Sequence, residues 1–116
     1  MNIIIVGCGK VGSALAEQLA AEGHDITVID TNADAVSRVT DVSDVMGVEG
    51  NGVVYYVQKE AGIEYADMFI AMTGSDELNL LCCLIAKKAS ACRTIARVRN
   101  PDYLTERGFI QEKLGI

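Results

Sequence analysis

The sequence predicts an α/β domain, a doubly wound parallel sheet with helices on both faces, in three layers with five to six strands. Three observations carry this. Short β-branched apolar runs alternate with helical patterns along all 116 residues, the order expected of parallel strands joined by right-handed crossovers. The first run, "NIIIV" at 2–6, is apolar at four consecutive positions, as befits a strand buried on both faces. Between it and the following helical pattern stand three glycines, Gly7, Gly9 and Gly12, in a GxGxxG frame.

Each element has its own signal. In 10–22 the residues Val11, Leu15 and Leu19 recur every fourth position and give a helix one apolar stripe. Gly23 ends it. "DITVID" at 25–30 is the second strand. A helix follows from Asn32 or Ala33 to Thr40, with Thr31 or Asn32 as its cap. "DVMGVE" at 44–49 is the third strand, weakened by Gly47, and "GNG" at 50–52 is a turn. A short helix is expected over 53–61, closed by Gly62. "DMFIAMT" at 67–73 is the fourth strand, and "GSDE" at 74–77 opens a long helix to Ser90. "RTIARV" at 93–98 is the fifth strand. The segment 100–116 is mostly helical, interrupted near Gly108, with Pro101 at a first helical position. The chain stops at Gly115-Ile116 where a sixth strand is expected, as in a fragment of a longer protein; residues 1–116 are read as one domain.

The helix at 78–90, "LNLLCCLIAKKAS", is apolar around most of its circumference. Such a helix is covered on more than one side, either by a subunit interface or by a deep core.

Half the residues are hydrophobic and one is proline, a globular composition. The net charge of −6 argues against nucleic acid, which calls for a basic footprint. Residues 1–77 hold 13 acids and 3 bases, whereas 78–116 hold 3 acids and 7 bases. The basic part suits an anionic ligand, an acidic partner or plain solvation. No basic leader precedes the first strand, so no signal peptide is expected. No apolar stretch approaches the roughly 20 residues that span a bilayer. Cys8, Cys82, Cys83 and Cys92 show no metal spacing and read as reduced thiols of a cytosolic protein. Cys8, inside the glycine turn, is an apolar filler or a reactive thiol.

The glycine turn carries the chemistry. A GxGxxG that follows a strand and opens a helix is the Rossmann fingerprint. Gly7 permits the tight turn, Gly9 lets a pyrophosphate approach the backbone, and Gly12 lets the helix pack on the sheet. The helix N-terminus offers N–H groups to phosphate, and Lys10 adds a charge. Asp30, at the end of the second strand, accepts ribose hydroxyls and repels a 2′-phosphate. It favours NAD over NADP, but ATP, ADP and AMP carry the same free ribose. Asn51 is placed to pair with adenine, or else does turn chemistry. Thr73, Gly74 and Ser75 end the fourth strand beside the switch point between the first and fourth strands, where open sheets bind ligands. Asp76, Glu77 and Asn79 follow; the two acids also suit a helix N-terminus. Arg97 and Arg99 share a face near the end of the fifth strand, for phosphate or adenine contact or for surface ion pairs. No acid–base group joins this set. His24, the only histidine, precedes the second strand at the far end of the sheet. A nucleotide site without catalytic groups suggests sensing, in which ligand selects one conformation.

These residues resemble a known family. "MNIIIVGCGKVGSALAEQL", "GHDITVID", "EAGIEYADMFIAMTGSDELNLLCCLIAKK" and "TIARVRNPDY" are similar to the N-terminal nucleotide-binding RCK, or KTN, domain of regulatory subunits of Trk/Ktr-type potassium uptake systems. The resemblance covers essentially the whole chain. It implies a non-enzymatic domain that binds NAD(H) or ATP/ADP as a regulatory ligand. It implies homodimers that build larger rings on a membrane potassium-translocating subunit, at the cytoplasmic face of the cell membrane, and gate potassium flux by ligand exchange. By match the ligand residues are Gly7, Gly9, Lys10, Gly12, Asp30, Thr73, Gly74, Ser75, Glu77, Asn79 and Arg97. The family commonly has Gly-Asp-Ala-Thr where this chain has Gly50-Asn51-Gly52-Val53, so an amide stands in place of the acid that meets adenine. The family's usual sixth strand and C-terminal regulatory domain have no counterpart in these residues. The other reading is the cofactor domain of an NAD-dependent dehydrogenase.

Overall fold

A computed structural model describes residues 1–116. Five strands, β1 (Asn2–Val6), β2 (Asp25–Asp30), β3 (Met46–Glu49), β4 (Met68–Ala71) and β5 (Arg93–Ala96), form one sheet in the order β3-β2-β1-β4-β5. Every pairing is parallel. The chain runs outward from β1 to β3, then crosses to β4 on the other side of β1. The sheet therefore has its switch point at the carboxyl ends of β1 and β4, the predicted place.

Period-two alternation divides the core. Ile4, Val6, Ile29, Phe69 and Ala71 point to one face, with Cys82, Cys83 and Ala86 from the helix packed on it. Ile3, Ile5, Ile26, Val28 and Ile70 point to the other, against Ala16, Ala35 and Val39. Both faces of the central strands are thus dry, which is why "NIIIV" carries no polar alternation. The covering helices are α1 (Lys10–Ala21) and α2 (Ala33–Val42) on one side, α3 (Tyr55–Glu60) and α4 (Asp76–Ala89) on the other.

Gly23 and Gly62 each take φ of +92° just past a helix, the left-handed conformation that stops it. Asn32 caps α2 by accepting from the Asp34 and Ala35 amides.

Several expected boundaries shift inward. β3 starts at Met46 rather than residue 44, because Val45 N–H turns back to the Ser43 carbonyl. β4 spans Met68–Ala71, not 67–73: at one end the Asp67 carboxylate accepts from Asn2 N–H, and at the other Thr73 is drawn onto Asn79. β5 ends at Ala96, not 98. α3 begins at Tyr55 rather than 53, since Asn51 holds Val53 in a side-chain turn. The terminal segment forms α5 (Pro101–Leu104), α6 (Arg107–Phe109) and a π turn (Ile110–Leu114). Its break falls at Thr105-Glu106, where the Glu106 amide tightens onto the Tyr103 carbonyl; Gly108 lies inside α6.

Along α4, Cys82, Cys83 and Ala86 are fully buried while Leu81 is 44 % exposed. Its outer apolar face is only partly covered within this chain. No helix is long and apolar enough to cross a membrane.

Candidate functional site

The glycine turn is built by exclusion of side chains. Gly7 takes φ of +106°, and a Cβ there would lie 2.9 Å from the Met72 carbonyl carbon. Its N–H bonds the Ile29 carbonyl at 2.8 Å, so the turn is stitched to β2. A Cβ on Gly12 would overlap the Gly7 carbonyl oxygen. A Cβ on Gly9 would meet nothing within 4 Å, so the backbone there faces open space. That is room for a phosphate to approach.

The helix behind the turn is left ready. Asn32 caps α2 and Ser75 caps α4, but Gly9 at the head of α1 has no side chain to cap with. The first amides of this 12-residue helix therefore have no side-chain acceptor, and its positive dipole end faces the cleft.

The cleft measures about 460 Å³, within the span of small-ligand sites. Of the sequence-predicted residues, Gly7, Gly9, Lys10, Gly12, Asp30, Asn51, Thr73, Gly74 and Arg97 all line it. Thr31 and Arg99 join them. Arg99 was legible from its two-residue spacing to Arg97; the sequence marked Thr31 as a candidate helix cap, not as a cleft residue. Lys10, Arg97 and Arg99 are notable in an acidic chain because none pairs with a carboxylate. The one ion pair is Lys59 with Glu64 at 4.0 Å. Three cations around one cleft suit an anion.

Asp30 is half-buried. One carboxylate oxygen accepts from Cys8 N–H at 2.7 Å, the other from Asn32 N–H at 2.9 Å. Each oxygen keeps a further lone pair for a hydroxyl. Asn51 is exposed, and its Oδ1 accepts from Val53 N–H at 3.0 Å. The turn reading of Asn51 is thus met by its oxygen, while its residue also lines the cleft.

Three predicted residues stand elsewhere. Asn79 is fully buried. Its Oδ1 accepts from Thr73 N–H and Oγ1, and its Nδ2 donates to the Thr73 and Arg97 carbonyls. All its bonding capacity is used inside the protein, so it positions Thr73 and Arg97 and does not reach the cleft. Ser75 caps α4, its Oγ accepting from Leu78 N–H at 3.2 Å. Glu77 lies in a neighbouring open depression, and its carboxylate near Tyr103 holds that phenol above its ordinary pKa. Asp76 takes the Arg99 and Asn100 amides at 2.7–3.1 Å, fixing the chain after β5.

Burial sets the cysteine chemistry. Desolvation, and secondarily the Asp30 charge, pushes the Cys8 thiol up to about 11. Burial likewise pushes Cys82 to about 11 and Cys83 to about 12. A thiol held protonated is a poor nucleophile, so Cys8 is packing, not chemistry.

A second cleft of about 440 Å³ lies at the opposite end of the sheet, around His24 and Asp25. His24 sits 3.1 Å from the Met1 amine there. That end has the strand N-termini but no GxGxxG turn opening an α-helix and no lysine or arginine in its lining, so the switch-point cleft is the candidate site.

Comparison with known proteins places these features. The TrkA-N domain family matches residues 3–115. The chain is 47 % identical over 110 residues to the Trk system potassium uptake protein TrkA of Halomonas elongata, covering 94 % of this chain and 24 % of that protein. It is 43 % identical over 112 residues to a TrkA homolog of Archaeoglobus fulgidus, covering 97 % and 25 %. This chain thus spans about a quarter of the length of those relatives. Among solved structures it superposes on the TrkA-N domain of the inner membrane protein ybaL from Escherichia coli with TM-score 0.81 at 29 % identity, covering 92 % of this chain and 82 % of that one. It also superposes on the GsuK channel bound to NAD, with TM-score 0.77 at 24 % identity, covering 88 % and 18 %; that likeness is one of fold.

Proposed function

Because the chain belongs to the TrkA-N domain family, we propose that its switch-point cleft senses an adenine nucleotide, NAD(H) or ATP/ADP, for a potassium uptake system. The observation that carries this is the uncapped α1 N-terminus in one cleft with three unpaired cations, Lys10, Arg97 and Arg99, and with Asp30. Phosphates would sit on the α1 amides over Gly9, with Lys10 and Arg97 as counter-charges. Asp30 would take the ribose hydroxyls and the Asn51 amide the base. Thr73 and Gly74 would wall the phosphate side.

The bound nucleotide acts by favouring one arrangement of the loops around the cleft over another. The outer face of α4 would pair two copies of the domain, and larger rings would carry the change to a membrane potassium-translocating subunit at the cytoplasmic face. The domain is regulatory rather than catalytic, and residues 1–116 form the nucleotide-binding domain of a longer chain.

The test is calorimetric titration of this chain with NAD, NADH, NADP, ATP, ADP and AMP. Binding of NADH or of ATP and ADP, with rejection of NADP, is expected. No binding by any of the six, or binding of NADP as tight as NAD, would overturn the site assignment.

A further inference from the structure

Gln58 is the least expected side chain in the core. It lies in α3 between positions that pack against apolar neighbours, Val57 and Ala61, and it is fully buried. Its Nε2 donates to the Gly52 carbonyl at 2.7 Å and to the Cys82 carbonyl of α4 at 3.1 Å. Both partners are acceptors, so the amide orientation is settled by chemistry: the NH₂ must face them. Its Oε1 is buried and has no partner.

From this we infer that Gln58 is a positioning residue for the nucleotide cleft, holding the Gly50-Asn51-Gly52 loop in register with α4; the inference rests on the site proposed above. The loop is fastened at two points. Gly50 N–H bonds the Asp30 carbonyl at 2.9 Å, and the Gly52 carbonyl takes Gln58. Between them stands Asn51, exposed and lining the cleft. Gly52 also lies so close to β1 that a Cβ would come 2.6 Å from Val6 Cγ1. Val6 is the residue before the glycine turn. The amide therefore sets how far Asn51 stands from the turn that would hold the phosphates.

The orphaned Oε1 limits what Gln58 adds to stability. A buried acceptor without a partner is unfavourable, and it offsets much of what the two donated bonds contribute. An apolar side chain of the same length would remove the orphan while releasing the Gly52 carbonyl. Gly52 is itself buried, so its carbonyl then becomes the unpaired acceptor; stability falls modestly, while the loop loses its fixed register.

The experiment is Gln58→Met in this chain, read by thermal unfolding, by amide exchange at Asn51–Val53 and by affinity for ATP, AMP and NAD. The expected result is a modestly lower melting temperature, with the chain still folded at the titration temperature and faster exchange in the loop. All three ligands should weaken by a common factor of about three to ten, one hydrogen bond's worth of register. The ATP-to-AMP ratio should hold, because the phosphates are met elsewhere. Affinities within twofold of the unsubstituted chain, or a loss confined to ATP, would overturn the positioning role and leave the site standing. An unsubstituted chain that binds none of the three overturns the site and this inference together. Gln58→Glu keeps the proposal falsifiable should the methionine variant not fold. A buried carboxyl donates to a carbonyl only when protonated, so NAD affinity should fall as pH rises from 5.5 to 8.5, while the unsubstituted chain stays flat. A flat profile for Gln58→Glu would also overturn it.

Discussion

Asp30 uses part of its acceptor capacity on the protein itself, tying the Cys8 and Asn32 amides to the end of β2. It therefore shapes the glycine turn before any ligand arrives. Asp30→Ala is expected to weaken ADP binding by about 1–3 kcal/mol, the scale for removing a buried hydrogen-bond partner. It should also narrow the preference for NAD over NADP, since the carboxylate is what repels a 2′-phosphate. Calorimetry with ADP, NAD and NADP checks both; an unchanged ADP affinity would end the ribose assignment. The cysteines make a different residue-level prediction. Burial raises Cys82 to about 11 and Cys83 to about 12 from an ordinary 9.0. A native pKa above the unfolded one gives stability that is complete below pH 9 and lost as pH rises towards the native values. Melting temperature should thus fall steadily above about pH 9, and Cys82→Ala/Cys83→Ala should flatten that fall. A double variant with the same alkaline slope would show that other groups set it.

At the scale of elements, α4 organises one side of the cleft. Its first turn carries Ser75 as cap, Asp76 on the chain after β5, and Asn79 under Thr73 and Arg97. Farther along, Cys82 receives Gln58. The loops after β3, β4 and β5 all meet this one helix, so a ligand that moves one of them bears on the others. Ser75→Ala tests the division of labour. Losing the cap should lower stability by about 1 kcal/mol in urea unfolding and leave nucleotide affinity unchanged. An affinity loss at constant stability would instead make Ser75 a ligand contact. Ser75, Glu77 and Asn79 sit in one stretch with Thr73 and Gly74, and sequence adjacency alone could not sort them. Ser75 and Asn79 face the protein, and Glu77 faces Tyr103 from outside the cleft.

At the scale of the whole molecule, one sheet dry on both faces keeps the glycine turn, Asp30 and the three cations in a common frame. Phe69 of β4 is fully buried in the face that α3 and α4 cover. Phe69→Ala should cost about 3–5 kcal/mol in denaturant midpoint times slope. It should lower nucleotide affinity only as far as the folded fraction falls. A stable variant that had lost binding would mean that the sheet tunes the site as well as supporting it.

Local rules, readable residue by residue, were enough for the architecture. The five strands, the glycine turn, the Asn32 cap and the stops at Gly23 and Gly62 follow from apolar period, backbone freedom and capping chemistry within a few residues of each. The nine cleft residues were legible for the same reason: parallel strands bring their carboxyl ends together, and motifs at those ends meet. Depth and direction were not legible. That Asn79 is saturated beneath Thr73, that Asp76 reaches across to Arg99 and Asn100, and that Gln58 bridges Gly52 to Cys82 depends on contacts 6 to 24 residues apart. Such contacts exist only once the sheet has stacked α3 and α4 against it. A polar side chain in the sequence carries no sign of whether its partner is a ligand or the protein; packing supplies that, because a buried amide must bond whatever the fold brings within reach.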